Sequence, residues 1–183
     1  MRVISGLYGG RVLKSPADNK TRPTSDRLRE TLFNVLATRI DGETRFLDIC
    51  AGTGAIGIEA LSRGAAFVTF VDRSKRACAL IEENLDKLCV PKATTDILGL
   101  DADNFTGREH AAGWDIAFFD PPYDSDYSLV LHEFGFNQTL LNEGGLLIVE
   151  HHTKKQVPDE IGSLRRWRIL KQGETSLSFY ERD

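Results

Sequence analysis

The sequence is poor in the residues that build covalent or metal-held frameworks. It has three cysteines, Cys50, Cys78 and Cys89, with no C-x-x-C pair among them. An odd, scattered set argues against a disulfide scaffold or a cysteine zinc site, so they are expected to be small buried hydrophobes. The four histidines, His110, His132, His151 and His152, lack H-E-x-x-H spacing, and no G-x-S-x-G elbow is present. No metal is expected, and the hydrolases built on that elbow are excluded. The longest apolar runs, such as Ile116–Phe119 and Gly145–Val149, fall far short of the roughly 20 residues of a membrane-spanning helix. Met1–Gly6 has neither the sustained apolar stretch nor the small-residue cleavage site of a secretory leader. A cytoplasmic protein with no membrane association is the expectation. Internal repeats and low-complexity segments are also absent.

What is present is an ordinary globular composition, 41% hydrophobic and 27% charged over 183 residues. A chain of this length can bury about 70% of its unfolded surface, enough for one self-sufficient core. A single domain over 1–183 is expected, with 1–40 as an N-terminal extension and 41–183 as the core. The net charge of −4 hides a division along the chain. Residues 1–39 hold eight basic and three acidic residues, 40–150 hold eight and nineteen, and 151–171 hold six and two. If the fold brings the basic ends together they make a phosphate-binding face; otherwise they are solvated helix and loop charges.

Residues 1–14 alternate loosely about Gly9-Gly10, which predicts a short hairpin turning on that pair. Ser25 supplies a hydroxyl cap, and Leu28, Leu32, Val35 and Leu36 recur at helical spacing, predicting a helix over about 25–39. From residue 45 strands and helices alternate. Strands are expected at 45–50, 67–71, 93–98, 115–119 and 146–150, with helices at 55–63, after Ser74, and at 129–140. Gly64 is the expected stop of the first of these helices. The order demands right-handed crossovers and a Rossmann-like, doubly wound, mostly parallel α/β sheet. Residues 165–180 read as an antiparallel hairpin at the sheet edge, turning near Gly173.

Between the first strand and its helix runs Gly52-Thr53-Gly54-Ala55-Ile56-Gly57, a G-x-G-x-x-G in the strand-to-helix context that gives the pattern meaning. Asp72 ends the next strand, placed to accept hydrogen bonds from ribose hydroxyls. Asp48, just before the loop, selects among nucleoside cofactors. A carboxylate there would repel a dinucleotide pyrophosphate, whereas S-adenosylmethionine has no phosphate and carries a sulfonium and an ammonium. The expected cofactor residues are Asp48, Ala51, Gly52, Thr53, Gly54, Asp72, Arg73, Asp101 and Ala102. Asp101 can lie beside the adenine or can simply cap a short helix.

Asp120-Pro121-Pro122-Tyr123 follows the fourth strand directly and so shares a sheet edge with the glycine loop. Its prolines fix the backbone and leave carbonyls aimed outward. An exocyclic amine on a purine is a poor nucleophile because its lone pair is delocalised into the ring. Asp120 and the Pro121 carbonyl can both accept N–H bonds from such an amine, freeing the lone pair to attack a methyl sulfonium. Tyr123 can stack on the base.

Taken together these segments resemble the RsmD family, bacterial methyltransferases of N2 of a guanine in 16S ribosomal RNA. The resemblance covers nearly the whole chain: Arg2–Gly6 with Gly10-Arg11, the string Arg22-Pro23-Thr24-Ser25-Asp26-Arg27-Leu28-Arg29-Glu30-Thr31-Leu32-Phe33-Asn34, the stretches Asp48–Gly57 and Glu59–Ala65, and the Asp-Pro-Pro-Tyr turn. The turn is shared with other amino methyltransferases; the arginine-rich string is narrower and carries the ribosomal assignment. Asp72 stands where the family more often has Glu, and Cys50 and Thr53 replace commoner loop residues. The resemblance implies S-adenosylmethionine as cofactor and 16S rRNA, free or in a partly assembled small subunit, as partner, with a monomer expected. It also puts Arg22, Thr24, Arg27 and Arg29 at the mouth of the site as substrate-binding residues. Ion pairing of those arginines with Asp26 and Glu30 is the other account of them. Lys154 and Lys155 are further candidates for the RNA face. The competing functions are methylation of DNA adenine or protein glutamine, a nicotinamide-dependent dehydrogenase, which leaves the Asp-Pro-Pro-Tyr turn unexplained, and a non-catalytic RNA-binding module, which needs no glycine loop.

Overall fold

The computed structural model describes residues 1–16 and 25–182. The expected Arg22 and Thr24 contacts therefore lie outside the described residues. Five strands, β1 (Arg45–Ile49), β2 (Phe67–Val71), β3 (Thr95–Leu98), β4 (Trp114–Phe119) and β5 (Leu141–His152), alternate with helices, and β6 (Glu160–Ile161), β7 (Leu164–Gln172) and β8 (Thr175–Arg182) follow. They form one eight-stranded sheet in the order β3-β2-β1-β4-β5-β8-β7-β6. The first five run parallel, and β8 pairs antiparallel with both β5 and β7. This is the doubly wound α/β sheet with a C-terminal antiparallel hairpin that the alternation predicts.

Successive strand residues bury on opposite faces. Phe46, Val68, Phe70, Ile116, Phe118 and Ile148 join one core with α1 (Asp26–Val35), α2 (Ala55–Ser62) and α3 (Lys75–Leu88). Leu47, Ile49, Val71, Ala117, Phe119 and Val149 join the other with α4 (Ala102–Thr106) and α5 (Ser128–Phe136). Both faces being covered explains why β1, β2 and β4 read as nearly unbroken apolar runs.

The register has a direct consequence for function. Ile49 pairs with Val71 and with Phe119, Val71 with Leu98, and Phe119 with Val149. The next residue on each strand is therefore level with its neighbours, so Asp72, Cys50, Asp120 and Glu150 stand in one row at the carboxyl edge.

Several expected boundaries shift. Helix α1 begins at its Ser25 cap, whose Oγ accepts from Leu28 N at 3.2 Å, but ends at Val35, because beyond Leu36 residues 37–39 are exposed and bury nothing to hold another turn. Helix α5 stops at Phe136, where Asn137 turns the chain. β5 begins earlier than expected, since Leu141 already pairs with Trp114 across an irregular register. Residues 1–13 do double back, with Val3 N donating to Arg11 O and Gly10 N to Val3 O, both at 2.9 Å, but only the Arg2–Val12 bridge forms. Its turn uses positive φ at Gly6 and Gly10, not at Gly9. At Gly6 a Cβ would lie 1.8 Å from the Ser62 carbonyl oxygen, so the turn is shaped by its seat on α2. Cys50 and Cys78 are only partly buried and Cys89 is exposed, ending α3 in the left-handed region at φ 57°. Among the described residues no helix is long and apolar enough to cross a membrane.

One buried acid holds residues 4 and 5 of the N-terminal segment on α2. Glu59 on α2, fully buried, accepts from Ile4 N (2.7 Å), Ser5 N (3.0 Å) and Arg63 Nε (2.7 Å). Truncating it leaves two backbone donors without an acceptor. Glu59→Ala is expected to lower the unfolding free energy by about 1–3 kcal/mol. Denaturant titration checks the loss, and amide exchange at Ile4 and Ser5 should accelerate more than exchange in β1.

Candidate active site

The strand ends, the glycine loop and the start of α1 surround one cavity of about 970 Å³. Asp48, Ala51, Gly52, Thr53, Asp72, Arg73, Asp101, Ala102, Asp120, Pro121, Pro122 and Tyr123 all line it, as the sequence led us to expect. Gly54 does not. It is the left-handed N-cap of α2, at φ 75°, and a Cβ on it would meet Ile81 and Phe70 in the core. Gly57 is likewise a packing glycine, where a Cβ would come within 2.3 Å of the Phe70 ring. The first glycine, Gly52, serves the cavity and the other two let α2 lie close on the sheet.

The acids that line the site also build it. Asp72 Oδ2 accepts from Gly52 N at 2.9 Å and Oδ1 from Ser74 N at 2.8 Å, so the expected ribose acceptor also holds the loop and the start of α3. Each oxygen keeps acceptor capacity for a ligand hydroxyl. Asp101 is at the N-cap position of α4 but makes no side-chain cap bond, and it lines the cavity. Asp48 is buried, and its Oδ2 accepts from Gly57 N at 2.9 Å. Burial pushes the Asp48 carboxyl up to about 8. It is therefore not the fixed anion that excludes a pyrophosphate by repulsion; a sulfonium or ammonium beside it would favour its ionised form.

Asp120 is held well above the ordinary carboxylate range, chiefly by burial and then by the nearby Glu150 and Asp48. Each of these neighbouring acids makes ionisation of Asp120 less favourable. Tyr123 is fixed in place: its hydroxyl pairs with Thr175 Oγ1 on β8 at 2.8 Å, and its ring meets His152 edge-on at 5.6 Å. The Pro122 carbonyl accepts from both Ser125 N (2.9 Å) and Ser125 Oγ (2.6 Å), which tightens the turn after the prolines.

Two expected RNA contacts are corrected. Arg29 is fully buried, its Nη2 donating to the Arg2 carbonyl at 2.7 Å and to Asp26 at 2.8 Å. A side chain on the apolar flank of α1, between Leu28 and Leu32, cannot reach a polyanion outside. Lys155 directs its Nζ to the carbonyls of Tyr123 (3.2 Å) and Ser125 (2.6 Å) and sits 3.8 Å above the Tyr127 ring, so it clamps the Asp-Pro-Pro-Tyr turn. Arg27 and Lys154 are exposed, as an RNA contact requires.

Two site residues went unnoticed in the sequence, and the part played by a third, Lys155, was not read there. Glu150 lines the cavity at the end of β5; an acid at the carboxyl end of a parallel strand was the available signal. Asn84 is buried on α3, donating to Thr53 O (3.1 Å) and Lys14 O (3.2 Å) while accepting from Lys14 N (2.7 Å), which ties the glycine loop to the N-terminal segment. A polar residue among Ile81, Leu85 and Leu88 marked it. The bonds of Lys155 left no sequence signal.

A family profile described as conserved hypothetical protein 95 matches residues 1–181. "Ribosomal RNA small subunit methyltransferase D" of Escherichia coli K12 is 31% identical over 100% of this chain and 90% of its own length. The chain belongs to the RsmD family. This RsmD-family chain is also 35% identical to "Putative rRNA methyltransferase YlbH" of Bacillus subtilis, covering 100% of the chain and 99% of that protein. A solved structure, "Putative methyltransferase yhhF from Escherichia coli", superimposes on the RsmD-family fold with a TM-score of 0.86 at 31% identity, over 100% of this chain and 98% of the other. At 18% identity, a likeness of fold alone, the neighbours include SAM-dependent methyltransferases and one complexed with SAH.

The raised Asp48 carboxyl sets a pH dependence. The unfolded chain gives up this proton near 3.8 and the folded chain near 8, so between those values the folded state binds more protons and its stability falls as pH rises. Asp48→Asn keeps an acceptor for Gly57 and removes the ionisation. The wild type is expected to lose stability relative to the variant from pH 4 to about 8, and the difference to level off above that. Denaturant titrations across this range check it, and a constant difference refutes it.

Proposed function

We propose that the protein is an S-adenosylmethionine-dependent methyltransferase that modifies the exocyclic N2 amine of a guanine in small-subunit ribosomal RNA. The observation that carries this is the meeting of the glycine loop and the Asp-Pro-Pro-Tyr turn on one cavity. The residues suit the cofactor's chemistry: Asp72 and Asp101 offer acceptors to a nucleoside, and Asp48, Asp120 and Glu150 offer negative potential to cations. Bound S-adenosylmethionine supplies an electrophilic methyl group.

The chain's part is to hold and activate the amine. Asp120 and the Pro121 carbonyl accept its two N–H bonds, drawing the nitrogen toward a tetrahedral geometry with its lone pair free. As the N–C bond forms the nitrogen becomes cationic, and the acidic edge at Asp120 and Glu150 stabilises it and takes its proton. Tyr123, braced by Thr175 and His152, stacks on the base. Lys155 keeps the turn closed over these positions.

Substrate RNA would approach along the exposed Arg27 and Lys154. Gln172 Nε2 donates to Ser25 Oγ at 3.3 Å, setting the start of α1 beside the β7–β8 turn, and Thr175 at that turn holds Tyr123. The basic N-terminal segment and the catalytic turn are thus neighbours.

Methyl transfer to ribosomal particles from cells lacking this protein, followed by nucleoside analysis, tests the assignment: N2-methylguanosine is expected, and N6-methyladenosine or no product overturns it. Asp120→Ala should abolish transfer in single-turnover assays at saturating cofactor while leaving cofactor affinity within a few-fold. For RNA binding, an Arg27→Ala, Lys154→Ala double variant should reduce the slope of log K against log salt by about 0.7–0.9 for each lost phosphate contact. An unchanged slope removes these residues from the RNA face.

A further inference from the structure

Arg29 is a buried and poorly compensated charge at the cavity. Its side chain is fully buried, yet the carboxylate that pairs with it, Asp26, is 63% exposed. Nη2 alone makes both hydrogen bonds, to Arg2 O and to Asp26 Oδ1. Nε and Nη1 are buried with no hydrogen-bond partner among the described residues. Donors on an ionised group left this way are costly, which makes the site suited to an anion arriving from the cavity that Arg29 lines.

We infer that Arg29 is the anchor for the α-carboxylate of the methionine part of the cofactor, an assignment that rests on the S-adenosylmethionine reading above. The sheet order supports it. Acceptors suited to ribose and adenine, Asp72 and Asp101, follow β2 and β3 on one side of β1, and the Asp-Pro-Pro-Tyr turn that holds the amine follows β4 on the other. The methionine part then lies over the end of β1, against the glycine loop. Arg29 belongs to that place: it holds the carbonyl of Arg2, and the preceding Met1 receives Thr53 Oγ1 of the loop on its sulfur at 3.7 Å. Charge points the same way. The zwitterionic methionine part brings two cationic centres, which the acids Asp48, Asp120 and Glu150 suit, and one carboxylate, which they repel. The other arginines lining the cavity, Arg73 and Arg76, are exposed on the side of β2 and α3, so Arg29 is the buried cation among the described lining residues.

The test compares S-adenosylmethionine with decarboxylated S-adenosylmethionine, which keeps the sulfonium and amine and lacks only the carboxylate. Calorimetric affinities are measured for both on the wild type, Arg29→Met and Arg29→Lys. The wild type should prefer the carboxylated ligand by about 10- to 100-fold, the size of a hydrogen bond to a charged group. Arg29→Met should lose that preference by weakening S-adenosylmethionine alone, and Arg29→Lys should keep part of it. Equal binding of both ligands by the wild type overturns the assignment while leaving the cofactor reading intact, and it does so even if Arg29→Met does not fold. Equal weakening of both ligands in the variants means that Arg29 only supports the N-terminal segment, and also overturns it. If the wild type binds neither ligand, the S-adenosylmethionine reading itself fails and this assignment with it.

Discussion

The level ending of the parallel strands is the constraint from which the site follows. Ile49 on β1 is paired on both sides, with Val71 and Phe119, and the same row extends to Leu98 and Val149. Because strand side chains alternate, a slip of one residue in any pairing would turn an apolar row toward the wrong core as well as displace the residue that follows the strand. The cost of exposing Phe119 or Val71 thus also fixes where Asp120 and Asp72 stand. Packing far from the chemistry sets the positions of the chemical groups.

That arrangement gathers several acids at one edge, which is unfavourable in isolation. Burial and then Asp72 push Asp48 toward its neutral form, and burial, Glu150 and Asp48 do the same to Asp120. The fold relieves part of this by using acids as backbone acceptors, Asp48 for Gly57 and Asp72 for Gly52 and Ser74. In the proposed function the remaining negative potential suits a cationic ligand and a nitrogen that becomes cationic during methyl transfer. Stability is given up where function needs charge, a familiar exchange at enzyme sites.

The N-terminal segment belongs to the site. Glu59, Asn84 and Arg29 fasten it at three places, to α2, to the glycine loop through α3, and to α1. Each is a polar or charged residue buried against backbone groups, so the segment is held by directional bonds as well as by apolar packing. This fastening brings Met1, Ser15 and Pro16 to the cavity wall.

The alternation of apolar runs and helical stripes was enough to read the doubly wound sheet, and the glycine loop and Asp-Pro-Pro-Tyr turn were legible because local spacing dictates them. Local patterns also placed Asp72 and Asp120 at one edge, since residues that follow parallel strands share it whatever the register. The roles of Arg29 and Lys155 were not legible. A basic residue in a helix or a loop reads as a surface charge, and only the packed structure shows that one is buried against Arg2 and the other closes on Tyr123 and Ser125. The same holds for Gly54, which has the spacing of a ligand-binding glycine but faces Ile81 and Phe70. Sequence periodicity determined which face of each element is apolar, because that depends on neighbours a few residues away. Which charged groups lost their water was decided by contacts between residues far apart in the chain, and those exist only once the tertiary structure has formed.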